Sequence, residues 1–124
     1  MIKINLIQSV DNSGGFCRLT VEGHAGAAPK GLDIVCAGVS GIVQMLAEWV
    51  KEDPFKQLCQ KRVEIEEGRA MIEASARAQE MPRVLDWFGL AGEGLEMIAA
   101  AYPEYVQYSD SIKRKDENLE EETV

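Results

Sequence analysis

Phe16-Cys17-Arg18-Leu19-Thr20-Val21-Glu22-Gly23 and Asp33-Ile34-Val35-Cys36-Ala37-Gly38-Val39-Ser40-Gly41-Ile42-Val43-Gln44-Met45-Leu46-Ala47-Glu48-Trp49-Val50 lie nine residues apart and obey different periods. In the first, Cys17, Leu19 and Val21 alternate with Arg18, Thr20 and Glu22, the pattern of a strand with one wet face. In the second, Val39, Ile42, Val43, Leu46, Trp49 and Val50 recur at three and four, the stripe of an amphipathic helix. Asp33 is placed to cap that helix, which is expected from about Ile34 to about Lys51, and Asp53-Pro54 ends it. Gly23 to Gly31 between them is rich in small residues and reads as a mobile loop.

Working outward, Ile2 to Val10 alternates as a first strand. Asp11-Asn12-Ser13-Gly14-Gly15 turns it into the second, which is read as Phe16 to Gly23. Beyond the helix, Phe55 to Gln60 reads as a short helical or irregular connection. Arg62 to Glu66 and Ala70 to Ala74 form a second hairpin about Glu67-Gly68-Arg69. Glu80-Met81-Pro82 opens a second helix, with Val84, Leu85, Phe88, Ala91, Leu95, Ile98, Ala99 and Tyr102 on its apolar side. Gly89, Gly92 and Gly94 mark it as a helix in close contact with a neighbour. Pro103 ends it, and Tyr105 to Tyr108 is a last strand. Two amphipathic helices and a mostly antiparallel sheet predict an α+β two-layer sandwich, both helices on one face, in the order hairpin, helix, hairpin, helix, strand. The domain is expected over residues 1–109, with 110–124 a disordered charged tail.

The 124 residues suit one domain of ordinary globular composition, 46% apolar and 27% charged. A net charge of −8 argues against holding nucleic acid through phosphate neutralisation, and favours a basic protein or peptide as partner. No apolar run is read as approaching the ~20 residues of a membrane helix, and the N-terminus lacks the pattern of a signal peptide. The expected compartment is the cytoplasm. Three cysteines at spacings of 19 and 23 make neither a disulfide framework nor a zinc pair, and one histidine supplies no metal cluster.

That histidine, His24, follows the second strand, and Cys36 comes twelve residues later. With Asp33 as cap, Cys36 is expected in the first helical turn, where unsatisfied N–H groups and the macrodipole stabilise a thiolate. If the loop brings them together, thiolate and imidazole suffice for acyl transfer, and helix-start N–H groups can serve an oxyanion. The same spacing also suits a buried structural thiol and a surface histidine. Cys17, on an inward strand face, and Cys59, in a connection, read as structural.

Gly23-His24-Ala25, a short small-residue loop, and Gly31-Leu32-Asp33-Ile34-Val35-Cys36-Ala37-Gly38-Val39-Ser40, in this order and separation, resemble the signature of the ribosomal-processing cysteine proteases, the Prp family. The likeness extends over about residues 1–109, including Ala100 to Val106. It implies a small cytoplasmic homodimer without cofactor that removes an N-terminal extension from large-subunit ribosomal protein twenty-seven. It maps a catalytic dyad onto His24 and Cys36, with Gly23, Ala25, Gly31, Asp33 and Ser40 at supporting or substrate-binding positions. The loop over the site would be Gly26 to Lys30. The rival readings are a non-enzymatic ribosome-assembly or ribosomal-protein-binding factor and a redox sensor built on Cys36.

Overall fold

A computed structural model describes residues 1–23 and 30–115, residues 30–33 by backbone alone. The chain opens with β1 (Ile2–Asp11) and β2 (Gly14–Glu22), an antiparallel hairpin in register Ile4 to Val21 and Leu6 to Leu19. Asp11 Oδ1 closes its turn by accepting the Ser13 and Gly14 N–H groups at 2.8 and 3.1 Å. Then come α1 (Lys30–Glu52), β3 (Leu58–Glu66), β4 (Arg69–Arg77), α2 (Met81–Ala101) and β5 (Val106–Arg114). The strands form one sheet in the order β3-β4-β2-β1-β5. Only the β1–β5 pair is parallel, so the mostly antiparallel α+β architecture predicted from periodicity is the one observed.

Both helices cover the sheet face that carries Ile4, Leu6, Leu19 and Ile72. Val35, Val39, Val43, Leu46 and Val50 of α1 meet Val84, Phe88, Ala91 and Leu95 of α2 above it. Phe88 is wholly buried, a burial that contributes about 1.5–3 kcal/mol. Trp49 and Trp87 stack between the helices with ring centroids 4.8 Å apart. Two of the three α2 glycines mark close packing. A Cβ at Gly92 would sit 2.6 Å from Tyr108 Oη and 2.7 Å from Leu6 Cδ2, and one at Gly94 2.9 Å from Ile42 Cδ1. At Gly89 a Cβ would meet nothing.

The structure corrects the sequence reading in several places. The last strand is longer than Tyr105 to Tyr108: β5 runs to Arg114, and the Lys115 N–H donates to the Val10 carbonyl at 3.0 Å. Residues 110–114, assigned to a charged tail, therefore belong to the sheet. Their backbone pairs with β1 while their side chains face solvent, so hydropathy carried no trace of the strand. Residues 116–124 lie outside the described residues. Likewise, Leu58 to Gln60 are strand rather than connection, an exposed edge with a register shift between Leu58 and Gln60. The connection shrinks to the turn at Asp53, whose carboxylate accepts the Gln57 N–H at 3.0 Å. Over Ile34–Glu52, α1 is long and apolar enough to cross a bilayer by length and composition, contrary to the expectation; its apolar stripe is packed on the sheet instead. Finally, α1 begins at Lys30, one turn earlier than the cap at Asp33 predicted.

Candidate active site

Cys36 sits half-buried on the side of α1 that overhangs the β3–β4 turn. Between helix and turn lies a cleft of about 140 Å³. Val39 and Val43 of α1, with Ile2 and Val21 of the first hairpin, give it an apolar wall; Ser40, Gln44, Glu66 and Arg69 stand among its polar lining. A thiol at this position can attack a carbonyl group held in the cleft.

The end of β2 is fixed beside the same cleft. Gly23 lines it, and its N–H donates to the Gly68 carbonyl at 3.0 Å. Gly23 has φ +136°, and a Cβ there would run into the Met1 carbonyl oxygen and lie 2.9 Å from Ile2 Cα. Only glycine lets the chain leave β2 this close to the start of β1.

The three cysteines have different surroundings. Cys17 is wholly buried in the core, where burial pushes its thiol from an ordinary 9.0 up to about 12, against the opposing effect of a Gln8 N–H donated to Sγ at 3.6 Å. A thiol so protonated is not a nucleophile at neutral pH. Cys59 is exposed on the edge strand β3 and lines no cleft with Cys36. Cys36 alone of the three lines the cleft.

Of the other site residues read from the sequence, Ser40 lies one turn beyond Cys36 and lines the same cleft, as does Gly23. Gly31 falls in the first turn of α1. The side chain of Asp33, and the whole of His24 and Ala25, lie outside the described residues, as do residues 26–29 of the loop; Lys30 opens α1. The helix boundary changes one argument. Asp33 is the fourth residue of α1 and Cys36 the seventh, not the third. The N-terminal field acts within the first turn, so it does not supply the thiolate at Cys36 that the sequence reading expected of it.

Sequence reasoning missed Gln44, Glu66 and Arg69. Gln44 had a signal, since it follows Cys36 and Ser40 at intervals of four. Glu66 and Arg69 had none, because only the tertiary fold brings the β3–β4 turn under α1. Among the described residues no three of His, Cys, Asp and Glu are grouped so as to hold a metal ion.

A family model described as cysteine protease Prp matches residues 1–107. The chain belongs to the Prp family. It is 30% identical over 101 residues to the ribosomal processing cysteine protease Prp of Mycoplasma pneumoniae, covering 81% of this chain and 91% of that one. To the protein of the same name from Mycoplasma genitalium it is 31% identical over 107 residues, 86% and 92% of the two chains. Its fold is similar to the crystal structure of an essential ribosomal processing protease Prp from S. aureus in complex with a substrate peptide, with a TM-score of 0.65 over 90% of this chain and 100% of that one, at 15% identity. Membership makes this chain a cysteine protease of the ribosomal-processing family. A cysteine protease acts through a thiol, and of the three cysteines Cys36 is the one that lines this cleft.

Proposed function

We propose that the chain is an endopeptidase that removes a short N-terminal extension from bacterial large-subunit ribosomal protein twenty-seven, with Cys36 as nucleophile and His24 as general base and acid. One observation carries the dyad. Cys36 and Gly23 line one cleft, and Gly23 is bonded directly to His24. The imidazole accepts the Cys36 proton, and the thiolate attacks the scissile carbonyl. The tetrahedral intermediate collapses to a thioester as the imidazolium protonates the leaving amine. Water then attacks the thioester, giving its proton to His24; the acid product leaves and the thiol is restored. Activation rests on the imidazole rather than on the helix terminus, since Cys36 stands in the second turn.

Gly23 supports the site through its backbone, and Ser40 through its place one turn from the nucleophile; Ala25, Gly31 and Asp33 complete the supporting set. The protein acts in the cytoplasm without cofactor, nucleic acid or membrane as partner. It works as a homodimer, a reading that the exposed apolar side chains Ile34, Met45, Leu90 and Met97 on the two helices support.

The experiment is incubation of the purified protein and its Cys36→Ala variant with the unprocessed ribosomal protein of the same organism, followed by mass spectrometry. A single N-terminal cut by the unaltered protein alone is expected. No cut of a substrate that carries the extension overturns the assignment in favour of a ribosomal-protein-binding factor.

A further inference from the structure

We propose that Gln44 binds the substrate backbone at a distance from the scissile bond and so sets how much of the peptide the enzyme must grip; the proposal rests on Cys36 being the nucleophile. Cys36, Ser40 and Gln44 follow at intervals of four on α1 and line one cleft. Gln44 makes no side-chain hydrogen bond within the described residues. Its carboxamide offers both donors and an acceptor, the pair of functions that an extended backbone presents in return.

Geometry sets the register. Eight residues of α-helix at 1.5 Å each place Gln44 about 12 Å along α1 from Cys36. An extended peptide advances about 3.3 Å per residue, so Gln44 meets it about three to four residues from the bond under attack. The side of the cleft opposite α1 carries polar groups as well. Glu66 and Arg69, an exposed pair with 3.7 Å between charged atoms, line the cleft from the β3–β4 turn. Val39 and Val43 fall between Cys36 and Gln44 along α1 and line the same cleft. A peptide along this path is held at the reacting end by Cys36 and at the distal end by Gln44.

The test uses peptides from the ribosomal precursor around its cut, one extending well beyond the cleft in both directions and two cut back to about two residues on one side or the other. Affinity is measured on the Cys36→Ala protein and on the Cys36→Ala/Gln44→Ala double variant, and turnover on the unaltered protein and Gln44→Ala. Gln44→Ala is expected to weaken binding and raise KM for the long peptide about threefold to tenfold, the size of one backbone hydrogen bond, with kcat little changed. One truncated peptide, lacking the residue Gln44 holds, should be insensitive to the substitution. Equal losses on all three peptides, a loss confined to kcat, or no loss at all overturns the assignment. If the unaltered protein cuts none of them but the Cys36→Ala protein binds the long one in a Gln44-dependent way, Gln44 stands as a peptide-binding residue and the protease assignment of this substrate fails. If none is bound, both fall.

Discussion

The Gly23 N–H and the Gly68 carbonyl oxygen are 3.0 Å apart, and this one hydrogen bond ties the end of β2 to the β3–β4 turn beside Cys36. Both residues line the cleft, so the bond holds one side of it in place. Gly23→Ala adds a Cβ against the Met1 carbonyl at a φ that alanine avoids. It should destabilise the fold by about 1–3 kcal/mol, read from a denaturant titration, and lower kcat/KM further than that loss of folded protein accounts for. An unchanged melting temperature would show that the position tolerates a side chain.

Cys36→Ala and His24→Ala should each abolish turnover, by about a hundredfold or more, with circular dichroism and substrate binding unchanged. A redox sensor would need Cys36 alone and respond to peroxide, while a binding factor would keep its function in both variants. Cleavage kinetics and a peroxide titration on the same three proteins separate the possibilities.

Cys17 should report folding instead of catalysis. Its thiol is raised to about 12 in the folded protein from an ordinary 9.0. Below pH 9 both states keep the proton and the group leaves stability unchanged with pH; above it the unfolded chain ionises first, so stability falls as pH rises toward 12. The slope should shrink in Cys17→Ala relative to the unaltered protein between those limits. At neutral pH, iodoacetamide followed by peptide mass mapping should find Cys59 alkylated and Cys17 modified only after unfolding.

The helix glycines give a paired test. Gly92→Ala forces a methyl group against Leu6 and Tyr108 and should cost about 1–3 kcal/mol. Gly89→Ala meets open space and should stabilise α2 by about 0.5–1 kcal/mol through helix propensity. Thermal melts of the two variants should move in opposite directions.

A net charge of −8 should steer a basic substrate at low ionic strength. The association rate of the ribosomal precursor with the Cys36→Ala protein, measured by stopped flow, should drop severalfold as salt rises past the point where the screening length falls to about 8 Å. A rate insensitive to salt would remove the steering.

Period alone marked both helices and the first hairpin, because each buries one face and repeats it: Leu6, Leu19, Leu46 and Phe88 all stand where two- and 3.6-residue spacing put them. Small-residue signals also carried Gly92 and Gly94, and the motif around Cys36 carried the family. The outer ends of the edge strands were hidden. Arg62 to Glu66 alternates and reads as strand, but Leu58 to Gln60 and residues 110–114 hold their places by backbone hydrogen bonds to β4 and β1 with side chains mostly in water, which leaves little alternation to read.

The sequence by itself determined the α+β order, the core stripe and the candidacy of Cys36, since these follow from local periodicity and residue chemistry. Tertiary structure alone decided that Glu66, Gly68 and Arg69 lie beneath α1, that Cys36 faces a cleft, and that Cys36 stands in the second helical turn. Those facts depend on which surfaces meet and where a helix begins to be hydrogen-bonded, and contacts between residues distant in the chain leave no mark on the spacing of either.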